Sequence, residues 1–153
     1  MFRLHWTITL GLVLALSAAA EEPGIKSEFV GGTVAGVPAK SGARLDLTGK
    51  DNLHFRCGKT EVEIPYQKVN ALEYGQSVGR RYAAAILISP VLLLSKSRKH
   101  FVTIGYVDAD GRQQALVFRV GKHDIRSVLA GLEARTGRRV EYQDDEARKA
   151  GKG

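Results

Sequence analysis

The sequence predicts a mainly β domain with one C-terminal α-helix. Three observations carry this expectation. From Gly42 onward, apolar and polar residues alternate in short runs, the period of strands with one buried face. Asp110-Gly111 stands between two such runs, and Asp-Gly in that setting is a strong hairpin signal. Later the period turns helical, with Ile125, Val128, Leu129 and Leu132 at i, i+3, i+4 and i+7. At 153 residues, 44% apolar and 25% charged, the chain has the length and composition of one globular domain.

Taken in order, residues 21–41 carry Pro23, Pro38 and the run Gly31-Gly32-Thr33-Val34-Ala35-Gly36. This reads as a flexible N-terminal tether with a short edge strand at Phe29 to Val34. Leu45 and Leu47 then alternate with Arg44 and Asp46, and Leu53, Phe55 and Cys57 with His54 and Arg56. Gly58-Lys59 supplies a tight turn, Val62 and Ile64 alternate with Glu61 and Glu63, and Pro65 ends the ladder, completing a three-stranded meander. Val69, Leu72 and Tyr74 continue an extended segment that stops at Gly75 or Gly79. Phe101 to Val107 and the alternating Leu116, Phe118 and Val120 form the Asp-Gly hairpin. The helix follows, with Asp124 as its N-cap and Gly137 as its stop. Arg138 to Tyr142 reads as extended again, and Gln143 to Gly153 as a polar tail, either a frayed helix or disordered.

About six short antiparallel strands followed by one amphipathic helix is an order of elements that resembles the pleckstrin homology superfamily, including its GRAM and bacterial PH-like members. Ile64-Pro65-Tyr66 followed by Val69 and Leu72 is similar to a GRAM-type step in that family. The resemblance implies a PH-like bent antiparallel sheet or open barrel over residues 42–142, capped by the helix. The chain departs from the family at an apolar insert, residues 82–94, where a short loop is usual.

Residues 1–20 are read as a signal peptide. Arg3 and His5 precede an apolar run from Ile8 to Leu16, and Ser17-Ala18-Ala19-Ala20 offers the small side chains that a signal peptidase accepts. The apolar stretch is shorter than the roughly 20 residues of a spanning helix. Cleavage after Ala20 lowers the formal charge from +7 to +6, since only Arg3 among charged residues is lost. The expected location is therefore the periplasm or cell envelope. There, anionic lipid headgroups and acidic polymers are commoner partners for a basic domain than nucleic acid.

Motifs that could carry chemistry do not complete themselves. Gly58-Lys59-Thr60 has Leu53 where a phosphate loop needs its first Gly, and a strand pattern follows instead of a helix. Asp108-Ala109-Asp110-Gly111 lacks the later ligands of a calcium loop and reads as a solvated turn. His54, His100 and His123 lie far apart in sequence, so no metal site and no cofactor are expected. The single cysteine, Cys57, falls on the inward phase beside Phe55 and is expected to pack as a small hydrophobe. No serine sits in a nucleophile elbow.

The segment from Arg80 to His100 stands apart. A twelve-residue apolar run, Ala83 to Leu94, interrupted only by Ser89-Pro90 and including Ile86, Leu87, Leu92, Leu93 and Leu94, lies between Arg80-Arg81 and the cations Lys96, Arg98 and Lys99. This is too short to span a bilayer and too apolar for a solvated loop. It has three readings: a buried part of the domain's own core, a self-association surface, or a hairpin dipping into one leaflet while the cations meet lipid phosphates. The expected function is a non-catalytic exported module contacting an anionic membrane surface or an envelope protein through these residues. The rivals are a small enzyme on an anionic envelope substrate, with Arg80, Arg81 and Lys96 holding the anion and His100 as acid or base, and a structural homo-oligomer that uses the same insert.

Overall fold

A computed structural model describes residues 23–75, 99–143 and 145–152. Residues 1–20, read above as a signal peptide, and most of the 80–100 segment therefore lie outside the described residues. Eight described strands form one open sheet: β1 (Ile25–Gly32), β2 (Ser41–Asp46), β3 (Asn52–Cys57), β4 (Thr60–Pro65), β5 (Val69–Gly75), β6 (His100–Val107), β7 (Gln113–Val120) and β8 (Glu141–Tyr142). A single 3-10 turn, Tyr66–Lys68, joins β4 to β5, and two helices follow β7: α1 (Ile125–Thr136) and α2 (Asp145–Lys152). The sheet order is β4-β3-β2-β1-β7-β6-β5-β8, so two antiparallel meanders join where β1 pairs with β7.

The expected fold class holds: mainly β, with the predicted helix after the last long strand. Ile125, Val128, Leu129 and Leu132 are all buried, and Gly137 ends α1 in the left-handed conformation at φ 67°. Asp124 occupies the N-cap position without making a side-chain cap bond.

Curling of the sheet makes the core. Phe55 on β3 and Phe118 on β7 are three strands apart, about 14 Å across a flat sheet, yet their ring centroids are 5.1 Å apart. Phe29 on β1 joins them at 5.5 and 6.5 Å, and this aromatic trio sits in one cluster with Leu45, Leu53, Ile64, Leu72, Ile104, Leu116 and the apolar stripe of α1. Alternation supplies these residues from one face of each strand, and α1 supplies the rest.

Three expectations are corrected. Residues 25–32 are not a tether with an edge strand: β1 is an interior strand, bonded to β2 and β7, and Phe29 is buried. The glycines that suggested a tether permit close approach instead. A Cβ on Gly32 would stand 2.6 Å from the Ala115 carbonyl oxygen, and the register shifts between Phe29 and Gly31 in a bulge. The C-terminal residues are not a loose polar tail, because α2 docks with Ala147 fully buried and with Gly151 so close to Tyr142 that a Cβ would come within 2.6 Å of its ring. Residues 138–142 do supply a strand, but β8 pairs with β5 in parallel, so the sheet is not wholly antiparallel.

The outward face of the sheet divides into two halves. On β1 to β4 it carries Lys26, Glu28, Arg44, His54, Arg56, Glu61 and Glu63. On β5 to β7 it carries Ala71, Glu73, Gly75, Phe101, Thr103, Gly105, Ala115 and Val117. Ala71, Glu73, Phe101, Thr103, Ala115 and Val117 are all buried, although none belongs to the core cluster.

Candidate functional site

The polar phase of β1, β2 and β3 fixes the position of a row of cations. Lys26 stands opposite Arg44, Arg44 opposite Arg56, and Arg56 opposite Glu61. Neighbouring strands are about 4.8 Å apart, so three positive side chains follow one another across adjacent strands. Ser27 pairs with Val120 and Val120 with His100. One step further along the same register, Gly121 and Lys99 fall in line with Lys26.

A second row runs beside the first. Glu28 faces Arg119 on one side and Gly42 on the other. Gly42 has no side chain and nothing within 4 Å of where a Cβ would lie, so it leaves a depression in this second row, beside the first. Two adjoining hollows of about 530 and 540 Å³ result, sharing Lys26, Ser27 and Gly42. Lys99, His100, Arg119, Gly121 and Lys122 line the first, and Arg44, Arg56 and Gly58 the second. Together they hold six cations and one carboxylate, that of Glu28.

Some of this charge is committed within the fold. The Arg119 guanidinium pairs with Glu28. Arg56 Nε donates to Glu61 Oε1 at 3.1 Å, and Arg56 Nη2 lies 3.9 Å from Asp46 Oδ2. The Asp46 carboxyl is held below its usual range, first by the Thr48 hydroxyl and backbone N–H donating to it, against which burial works, and further by Arg56 and His54. Arg44 Nη1 donates to the Gly24 carbonyl at 3.1 Å. Of the six cations, Lys26, Arg44, Arg56 and Arg119 stand on strands, while Lys99 directly precedes β6 and Lys122 lies in the turn after β7.

His100 closes one end of the groove. Its Nδ1 is 2.6 Å from Tyr74 Oη, and the two rings stack at 6.0 Å with 9° between planes. Burial, and then the nearby Lys122 ammonium, push its pKa below the ordinary imidazole value of 6.5. Its hydrogen bond goes to a phenol, not to a carboxylate that could orient it as a general base.

The remaining sequence candidates fall as follows. Of the predicted binding residues, Lys99 lines the groove, while Arg80, Arg81, Ile86, Leu87, Leu92, Leu93, Leu94, Lys96 and Arg98 lie outside the described residues. Cys57 is buried, and its thiol donates to the Gly42 carbonyl at 3.4 Å. Gly58-Lys59 is the turn between β3 and β4, with Gly58 at φ 58°. Asp108 Oδ1 accepts backbone N–H groups of Asp110 and Arg112, which makes the 108–112 connection an Asx turn. Among the described residues no three His, Cys, Asp or Glu side chains are gathered to hold a metal ion, and no helix is long and apolar enough to cross a membrane.

Sequence reasoning missed Lys26, Arg44, Arg56, Arg119 and Lys122. For Lys26, Arg44, Arg56 and Arg119 the signal was present as the polar phase of each strand, but only the register brings Lys26, Arg44 and Arg56, twelve to thirty positions apart, into one row and sets Arg119 in the next. Comparison with known proteins gave no match to any family model and none to a curated protein.

Proposed function

We propose that this chain is a non-catalytic binding module of the cell envelope that contacts an anionic membrane surface through the groove on β7, β1, β2 and β3. The observation that carries this reading is the groove lining, six cations against one carboxylate, four of the cations on strands and two, Lys99 and Lys122, next to strand ends. Lys99 ties the groove to the basic flank of the apolar insert, since it directly follows Arg98 and stands three residues after Lys96. Cations near an anionic bilayer contribute about 1 kcal/mol each, and their combined effect fades with salt. Export through the leader at residues 1–20 and a pleckstrin-homology-like ancestry belong to the same proposal. Two meanders followed by a helix speak for the ancestry.

The test is sedimentation of the chain lacking residues 1–20 with vesicles of neutral lipid, and of neutral lipid mixed with phosphatidylglycerol. Binding to the mixed vesicles alone, weakening as salt rises, is the expected result. Equal binding to both, or none to either, contradicts the reading.

A further inference from the structure

We infer that the apolar insert, residues 82–94, docks on the outward face of β5, β6 and β7 and completes a second buried layer of this domain. Three lines of geometry converge on that occupant.

The face is built to be covered. Register places Ala71, Gly105 and Ala115 in one cross-strand row, and Glu73, Thr103 and Val117 in the next. Gly75 and Phe101 begin the third row. The surface is thus broad and shallow, with Phe101 and Val117 as its bulky members. Val117 is 0% exposed, Ala115 1%, Thr103 2% and Phe101 3%. Yet the apolar residues of α1, and Ala147 of α2, belong to the core cluster on the opposite face, so among the described residues no helix accounts for this burial. On β2 to β4 the corresponding face carries charged side chains instead, among them Arg44, Arg56 and Glu61, and on β1 Val30, 0% exposed at the bulge opposite Val117, continues the buried face.

The chain supplies a cover of the right composition at the right place. Residues 76–98 leave from Gly75, the last residue of β5, and return at Lys99, just before β6. Gly75 pairs with Phe101, so both ends of this 23-residue excursion are fixed at the margin of the face itself. Tethering at both ends gives the segment a high local concentration there. Its run from Ala83 to Leu94 contains no charged residue, and free in water it would leave large apolar side chains exposed. A leader removed on export cannot serve as a lasting cover, whereas this segment stays with the chain.

Hydrogen exchange of the chain lacking residues 1–20, at low concentration and without lipid, reads the occupant directly. Amides of residues 86–88 and 91–94 should be slowed by at least about a hundredfold relative to an unstructured chain, as expected for a packed layer. In Val117→Asp, which places a charge on the face, that protection should fall at least tenfold while β2, β3 and β4 keep theirs. Replacing Leu92, Leu93 and Leu94 with Ser should lower the melting temperature by more than about 8 °C, the scale of losing several kilocalories of packing. If Val117→Asp does not fold, the wild-type exchange pattern decides alone. The inference is overturned if residues 86–94 exchange like free chain in the folded wild type. It is also overturned if their protection appears only with vesicles, making a bilayer the occupant, or only at high protein concentration, making a second copy the occupant.

Discussion

Lys26 on β1 and Arg44 on β2 stand directly opposite each other in an antiparallel ladder, and Arg44 stands in turn opposite Arg56. Like charges directly opposed in a sheet cost stability, and opposite ones add it, by roughly 0.2–1 kcal/mol per pair. Of the three, Arg56 meets a carboxylate on its other side, in Glu61. A row of this kind, running beside a glycine-floored depression, is a cost that the proposed anionic partner would offset.

Gly42 offers the gentlest probe of that depression. Its φ is not positive, and no atom lies within 4 Å of an added Cβ, so Gly42→Ala should stabilise the fold by about 0.4–1 kcal/mol by narrowing the unfolded ensemble. Gly58→Ala should do the reverse, because Gly58 sits at φ 58°. Denaturant melts of the two variants check both signs, and destabilisation by Gly42→Ala would mean the floor is not open.

The N-terminal glycines make the opposite prediction. Gly32→Ala should cost more than about 1 kcal/mol, since the new methyl would meet the Ala115 carbonyl oxygen at 2.6 Å across the β1–β7 pairing. A chemical melt unchanged from wild type would remove β1 from the interior of the sheet.

Leu129 is 3% exposed within the core cluster, so Leu129→Ala should cost about 2–5 kcal/mol. Arg126→Ala, on the exposed side of α1, should change stability by less than about 0.5 kcal/mol. A loss at Leu129 no larger than that at Arg126 would detach α1 from the sheet.

These cases show what the linear sequence disclosed. Period two located β2, β3, β4, β6 and β7, and the four-residue stripe located α1, because burial on one face leaves its period in the residues themselves. Gly31-Gly32 misled, because glycine for a flexible loop and glycine for close strand approach look the same without the opposing Ala115. Ala147 and Gly151 were too small to mark a buried face on a helix whose other residues, Ala150 apart, are charged. The groove was hidden for a different reason: its charges are visible one strand at a time, and their alignment is a property of pairing.

The titration of His100 gives a pH signature. Burial, then Lys122, lowers its folded-state pKa below 6.5, so the unfolded chain binds its proton first. Stability from this group is therefore full above pH 6.5 and declines as pH falls through that value toward the folded pKa. His100→Gln should flatten the dependence of melting temperature on pH between about 7 and 5.5, a range set by the unperturbed histidine value. The lowered pKa of Asp46 acts in a separate window, below 3.8. A wild-type profile that is already flat across pH 6.5 would contradict the neutral, Tyr74-bonded imidazole.

The groove itself is tested most directly by reversing charge where the two hollows meet and at one end: Lys26→Glu combined with Lys122→Glu, compared with wild type for sedimentation with phosphatidylglycerol-containing vesicles at low and high salt. Each lysine contributes about 1 kcal/mol near such a surface, so the account predicts at least about tenfold weaker binding at low salt. The difference should shrink as salt screens the attraction, and the melt should remain cooperative. A folded double variant that binds these vesicles as tightly as wild type would contradict the groove as the membrane-contacting surface.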